Sequence, residues 1–325
     1  MERILSGMRP TGRLHIGHLS VLENWRELQK SYSCYFFVAD WHALTTSFDN
    51  TEDIRKNTRE IVADWLAVGL DPEKSVIFRQ SDVKEHAELH LLFSMITPIS
   101  WLERVPTYKD QVQQFREQGK DIMMYGFLGY PLLQAADILM YRAGAVPVGE
   151  DQLPHVELCR EVARRFNHMY SPVFPEPKAL LSKEKFIPGV DNRKMSKSYG
   201  NDISIFEDPS GLKKKVNSMI TDPRRIRKDD PGHPEVCVVH KYHSIYSPGG
   251  IAELERQCRS GAIGCVACKR DLHSRLDEIL LPLREKRMEI VSRKNYIEEV
   301  LSDGAERAGK AAAETMGMVR EAMKI

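Results

Sequence analysis

Two short polar stretches and one set of thiols carry the chemistry this chain could do. His15-Ile16-Gly17-His18 sets two imidazoles three residues apart, on one face of any helix that starts there. A helix N-terminus attracts anions, and an imidazole N–H there can donate to a phosphate oxygen. Gly17 has no side chain, so a flat ring could lie against the backbone. Much later, Lys194-Met195-Ser196-Lys197-Ser198 sets two lysines three apart, between Pro188-Gly189 and Gly200. Cations on such a loop suit the β- and γ-phosphates of ATP, where charge builds as pyrophosphate leaves. Taken singly, each stretch has a plainer reading: two surface histidines, and a solvated basic loop. The third feature is Cys237, Cys258, Cys265 and Cys268, separated by twenty, six and two residues. One CxxC pair with two more thiols can enclose a zinc ion or an iron–sulfur cube. Structural zinc sites usually bring two close pairs, a pattern these gaps fit poorly, whereas a cube needs its thiolates spread over a wider body. Cys34 and Cys159 fall in a strand and a helix and read as core thiols.

These groups need a scaffold. Residues 3–8 (RILSGM), 34–40 (CYFFVAD) and 75–81 (SVIFRQS) read as short buried strands. Between them come two helical patterns, HIGHLSVLENWRELQKS and the stretch from Thr51 to Gly69, with Thr51 as a fair N-cap. Strand, helix, strand, helix, strand predicts a parallel sheet with helices on both faces. Residues 85–142 read as mostly helical, VPVGEDQ (146–152) as strand and turn, and HVELCREVARRFN as a helix. The stretch 172–200 reads as strand plus loop, and the chain beyond about 206 as helices, ending in an Ala-rich one over 305–323. The first turn excludes two common phosphate sites. Gly7 and Gly12 have P-loop spacing, but Arg13-Leu14 stand where Lys and Ser or Thr must follow, and no GxGxxG is present.

HIGH followed by KMSKS is the paired signature of class I aminoacyl-tRNA synthetases. In order, SGMRPTGRLHIGHL, FVADWHALT, YPLLQAADIL, VPVGEDQ and KMSKSYGN resemble the tryptophanyl-tRNA synthetases, over essentially the whole chain. The resemblance implies an α/β fold: a Rossmann-like class I catalytic domain with a parallel sheet over 1–205, carrying a helical insertion over about 85–142. A C-terminal α-helical anticodon-binding domain would follow over 206–325. It implies a two-step reaction. The tryptophan carboxylate attacks the α-phosphate of Mg-ATP, and the acyl group then passes to the terminal ribose of tRNA(Trp). Catalysis would be positioning and charge stabilisation, with no covalent enzyme intermediate.

Residue by residue, the resemblance makes His15, His18, Lys194 and Lys197 the catalytic set. Arg9, Pro10, Thr11, Gly17, His18, Gly149, Glu150, Asp151 and Ile187 would contact ATP, with Met195, Ser196 and Ser198 completing the signature loop. Asp137 would accept the indole N–H, Gln152 and His42 would lie near the substrate's amino and carboxylate groups, and Val146 and Val148 would wall the slot. Tyrosyl-tRNA synthetases share both signatures but read the phenol with a tyrosine on the first strand; Leu5 stands there, which suits indole. A subset of bacterial tryptophanyl-tRNA synthetases carries a [4Fe–4S] cluster at cysteines matching Cys237, Cys258, Cys265 and Cys268, with a slightly longer first gap. Zinc is the alternative. The other readings are a small-molecule adenylyltransferase, usually a shorter chain with only the HxGH helix, and a non-catalytic RNA-binding relative, which would have lost signature residues.

Composition agrees. At 42% hydrophobic and 29% charged, 325 residues can bury a sizeable core. A net charge of +1 excludes a globally basic nucleic-acid binder, yet three basic runs, 213–215, 224–228 and 284–294, crowd the last third and favour a polyanionic partner; the resemblance makes that partner tRNA(Trp), not DNA. No long apolar run predicts a membrane span or signal peptide, so a cytoplasmic protein is expected. Homodimerisation is implied by the resemblance alone.

Overall fold

The computed structural model describes residues 1–181 and 187–325, and the side chain of Ser198 lies outside the description. The chain forms two compact units. The first contains Met1–Gly12, Asn24–Lys183 and Arg293–Ile325; the second contains Arg13–Glu23 and Glu184–Ser292.

The first unit is built on a parallel five-stranded sheet. Its strands are β1 (Arg3–Met8), β2 (Ser33–Val38), β3 (Ser75–Arg79), β4 (Ala145–Val148) and β5 (Lys178–Leu181), in the order β3-β2-β1-β4-β5. Strands covered on both faces need unbroken apolar runs, which is what SCYFFV and SVIF supply. Side chains alternate between the faces. Leu5, Tyr35, Phe37, Val76, Phe78 and Val146 join one core. Helices α4 (Glu85–Ser94), α8 (Tyr130–Met140) and α9 (Leu153–Met169) cover that face. On the other face Trp25 of α1 (Leu19–Leu28) stacks on Phe36 at 4.6 Å, and Trp65 of α3 (Ile54–Val68) meets it edge-on at 5.4 Å. Between these come α2 (Asp40–Ser47), α5 (Ile99–Glu103), α6 (Pro106–Glu117) and α7 (Tyr125–Leu128), so the stretch 85–142 is helical as its pattern predicts. Helix α3 starts later than expected. Asp53, not Thr51, is the N-cap residue, because 51–53 form a turn that donates the Ile54 N–H back to the Thr51 carbonyl at 3.2 Å. Gly69 ends that helix in the left-handed conformation at φ 107°.

The second unit is helical: α10 (Pro209–Ser218), α11 (Val238–Tyr246), α12 (Ile251–Arg259) and α13 (Cys265–Ser292). Leu212, Val216, Val239, Tyr242, Leu272 and Leu276 are buried. Asp208 caps α10, accepting from the Ser210 and Gly211 N–H groups at 2.9 and 3.0 Å. The final helix, α14 (Tyr296–Met323), is longer than the predicted 305–323 and belongs to the first unit. The units therefore do not divide at 205/206. Gly304 explains why α14 joins the sheet: a Cβ there would sit 1.8 Å from the Ile77 carbonyl oxygen, so only glycine lets the helix lie against β3 this closely.

The strand order reverses between β1 and β4. In open parallel sheets that switch point opens a crevice beyond the carboxyl ends of the two strands, where ligands bind. Arg9-Pro10-Thr11 follow β1, and Gly149 to Gln152 follow β4.

Candidate active site

At the switch point the chain turns sharply after β1, the Thr11 N–H donating to the Arg9 carbonyl at 2.8 Å. Arg9 and Thr11 are exposed and Pro10 is buried. After β4, Gly149 precedes a one-turn helix, Glu150–Gln152, that runs into α9. Glu150 and Asp151 are exposed, and Gln152 Nε2 donates to Asp151 Oδ2 at 2.9 Å. Leu5 and Val146 are buried, and Val148 packs partly buried against the same core.

Asp137 lies on α8 beside that core and is 1% exposed. Three elements supply donors to its carboxylate. His42 Nε2 is 2.8 Å from Oδ2, Gln80 Nε2 is 2.8 and 3.0 Å from Oδ1 and Oδ2, and His86 Nδ1 is 2.7 Å from Oδ1. His86 Nε2 lies 2.7 Å from the Tyr141 hydroxyl. A carboxylate only accepts, so His86 carries its proton on Nδ1 and its Nε2 accepts from Tyr141. Burial pushes the Asp137 carboxyl up, but the hydrogen bonds from His42 and His86 outweigh it and hold the group below the usual carboxylate range. Gln80 and His86 are fully buried, whereas the His42 side chain keeps 12% of its surface. The structure thus groups His42 with Asp137 and adds three residues that the sequence did not single out: Gln80, His86 and Tyr141. A histidine in the first turn of a helix reads as exposed, and nothing local marks its partner 51 residues away.

The signature histidines and lysines lie in the second unit. His15 precedes a short turn, Ile16–His18, that leads into α1. This turn is annealed to the chain beyond the signature loop: the Ile16 N–H donates to the Ile203 carbonyl at 2.8 Å, and the Ile205 N–H to the Leu14 carbonyl at 3.1 Å. The two imidazoles stand 3.8 Å apart between ring centres. Gly17 is needed for that approach, since a Cβ there would lie 2.9 Å from the His15 ring and 3.8 Å from Met195 Sδ. Burial lowers the His15 pKa to about 4, with Lys197 adding to the effect. Burial, then His15 and Lys197, lowers that of His18 to about 3. Both rings are therefore neutral at pH 7, each with one N–H to donate. His18 Nδ1 lies 3.3 Å from both the backbone N–H and the carbonyl oxygen of His15. Lys194 is exposed, Met195 buried and Lys197 half-buried, and Ile187, at the start of the preceding hairpin, is buried.

The four clustered cysteines also lie in the second unit and line one cavity, together with Arg225 and His240. Arg225 Nη1 is 3.9 Å from Cys265 Sγ and holds the Ile263 carbonyl through Nη2 at 2.6 Å. Burial raises the thiols of Cys237, Cys258 and Cys268, the last to about 12, and the neighbouring thiols add to each shift. Among the described residues no three His, Cys, Asp or Glu side chains are placed to hold a metal ion. Four thiols are the donors that an iron–sulfur cluster or an all-cysteine zinc site takes. Cys34 and Cys159 are buried core thiols, as the sequence predicts.

The parallel sheet with its switch point between β1 and β4 is the architecture of a class I synthetase fold. The chain belongs to the class I tRNA synthetases for tryptophan and tyrosine, whose family model matches residues 1–281. It is 52% identical to the tryptophan–tRNA ligase of Thermotoga maritima over 99% of both chains. It is 46% identical to that of Aquifex aeolicus, over 99% of this chain and all of the relative. The crystal structure of tryptophanyl-tRNA synthetase from Campylobacter jejuni complexed with ADP and tryptophan matches with a TM-score of 0.89 at 35% identity, covering 99% of this chain and all of that one. Within the family, these relatives place the chain among the tryptophan–tRNA ligases.

Proposed function

We propose that the chain activates L-tryptophan with ATP, releasing pyrophosphate, and transfers the tryptophan to the 3′-terminal adenosine of tRNA(Trp). The observation that carries this reading is the near full-length likeness to tryptophan–tRNA ligases, in a chain that keeps both signatures. Asp137 accepts the indole N–H; its ionised, buried carboxylate supports this, because a donor brought there gains a charge-assisted bond. Val146, Val148 and Leu5 bound the apolar slot, and His42 and Gln152 serve the amino acid's polar end. Arg9, Pro10, Thr11, Gly149, Glu150 and Asp151 serve ATP at the switch point. His15 and His18 donate to phosphate as neutral rings, so they orient the nucleotide without adding charge. Lys194 and Lys197 stabilise the departing pyrophosphate, and Gly17, Ile187, Met195, Ser196 and Ser198 shape the nucleotide's surroundings. Mg²⁺ accompanies ATP and supplies further charge to its phosphates when bound. The test is ATP–pyrophosphate exchange with each amino acid in turn. Tryptophan should support it, and faster exchange with tyrosine would overturn the assignment.

The helical region beyond residue 206 is proposed to read the anticodon, in a homodimeric cytoplasmic enzyme. No helix among the described residues is long and apolar enough to cross a membrane. Cys237, Cys258, Cys265 and Cys268 are proposed to hold a [4Fe–4S] cluster, which ties the starts of α11 and α13 to the end of α12 and takes no part in acyl transfer. The support is the four thiols on one cavity, whose lining holds a single histidine, His240, and no carboxylate. Anaerobically purified protein should be brown and absorb broadly near ~400 nm. A colourless sample with one equivalent of zinc and no iron would overturn the cluster.

A further inference from the structure

Asn201 follows the signature loop and is 2% exposed, a burial its polar amide needs partners to sustain. Those partners are all loop or hairpin groups. Its Oδ1 accepts the Ser196 N–H at 2.8 Å. Its Nδ2 donates to the Lys194 carbonyl at 3.1 Å and to Asp191 Oδ1 at 2.7 Å. Its own carbonyl accepts the Val190 N–H at 2.9 Å. Asp191 is held in turn by Arg193, whose Nε lies 2.7 Å away. The hairpin from Pro188 to Lys194 closes by an antiparallel bridge and turns through Asn192 at φ 68°. Packing is close as well, since a Cβ on Gly189 would lie 2.4 Å from Asn201 Nδ2. One side-chain amide therefore ties down the backbone just after Lys194 and just before Lys197.

We infer that Asn201 is a positioning residue for amino acid activation: it fixes the backbone on both sides of Met195 and so sets the directions in which Lys194 and Lys197 leave the loop. The inference rests on the reading of those two lysines as the groups that stabilise pyrophosphate. Its reach is specific to the first step, because pyrophosphate has left before the acyl group moves.

The test compares Asn201→Asp and Asn201→Ala with Lys194→Ala and Lys197→Ala in the full chain. Asn201→Asp is nearly isosteric and keeps the acceptor for the Ser196 N–H while losing both donated bonds. In tryptophan-dependent ATP–pyrophosphate exchange it should lower kcat at least about tenfold with KM for tryptophan within about twofold. Single-turnover transfer from preformed tryptophanyl-adenylate to tRNA should stay at the parent rate. A parent-like kcat in Asn201→Asp and Asn201→Ala, with the lysine variants impaired, would overturn the inference alone. Equal losses in exchange and transfer would mark Asn201 as merely structural and overturn it too. Unimpaired lysine variants would remove the reading on which it rests.

Discussion

Replacing Asp137 separates its two jobs, holding a buried network together and accepting from the substrate. Asp137→Ala removes the acceptor for Gln80 Nε2 and His86 Nδ1, both on fully buried side chains that cannot turn to water. Each unpaired buried donor costs about 1–3 kcal/mol, so the variant should lose about 2–6 kcal/mol of stability. Asp137→Asn should lose much less. The new NH2 can face Gln80 Oε1, which is buried with no partner among the described residues, once that amide turns over. His86 can also shift its proton to Nε2, because the Tyr141 hydroxyl accepts as well as donates. The asparagine variant thus keeps the fold and loses the charge. Its amide oxygen still accepts, so the loss is the difference between a bond to a charged acceptor, about 1.5–3 kcal/mol, and a neutral one, about 0.5–1.5 kcal/mol; a difference of about 1–1.5 kcal/mol predicts a rise in Kd for tryptophan of roughly 5- to 13-fold. Tryptophan binding is measured directly and through KM in exchange, beside an analogue with sulfur in place of the indole nitrogen. The analogue has no N–H to lose and should bind the parent and the Asp137→Asn variant alike. An Asp137→Asn variant that stays folded and keeps the parent's affinity and selectivity against tyrosine and phenylalanine would refute the reasoning.

Alanine at Lys194 or Lys197 should lower kcat for activation strongly and leave tryptophan binding nearly unchanged, as separate kcat and Kd measurements will show; weakened binding with normal turnover would exclude a transition-state role. His15 and His18 are neutral down to about pH 4 and about pH 3, so kcat/KM for ATP should show no limb near the ordinary histidine value that disappears on His18→Asn. The same rings couple folding to pH. The unfolded chain takes up their protons below about 6.5, so their stabilising contribution is whole above that value and shrinks as pH falls towards their folded values. Urea midpoints should accordingly drop between pH 7.5 and 5, by less in His15→Asn. Gly304→Ala should destabilise by about 1–3 kcal/mol in urea unfolding, since α14 must lift from the Ile77 carbonyl to admit a methyl group.

Most of what a local pattern encodes is readable from the chain, though it puts the start of α3 at Thr51 and the structure puts the cap at Asp53. The runs RILSGM, SCYFFV and SVIF announce buried parallel strands, and the two signatures announce the nucleotide chemistry. What escaped depends on partners far away in sequence. Gln80 follows a strand and His86 lies in the first turn of a helix, and only the fold reveals that both serve Asp137, 57 and 51 residues later. The unit to which α14 belongs was hidden for a similar reason. Gly309 and Gly317 look like blemishes in a helix and have open space around them, while Gly304 is the glycine that matters. Asn201 stands in the sequence only as the last letter of KMSKSYGN, and its importance appears in the three bonds its side chain makes.

The seating of α14 on β3 also bears on how this chain comes into being. β3 lies at the margin of the sheet, and such a margin presents unpaired backbone groups to any passing strand. Its cover is supplied by residues 293–325, more than two hundred positions after β3. During synthesis from the N-terminus all five strands are made while that flank is still bare. The nascent sheet unit is thus at its stickiest just before its last helix arrives, and Gly304 is where the vulnerability closes.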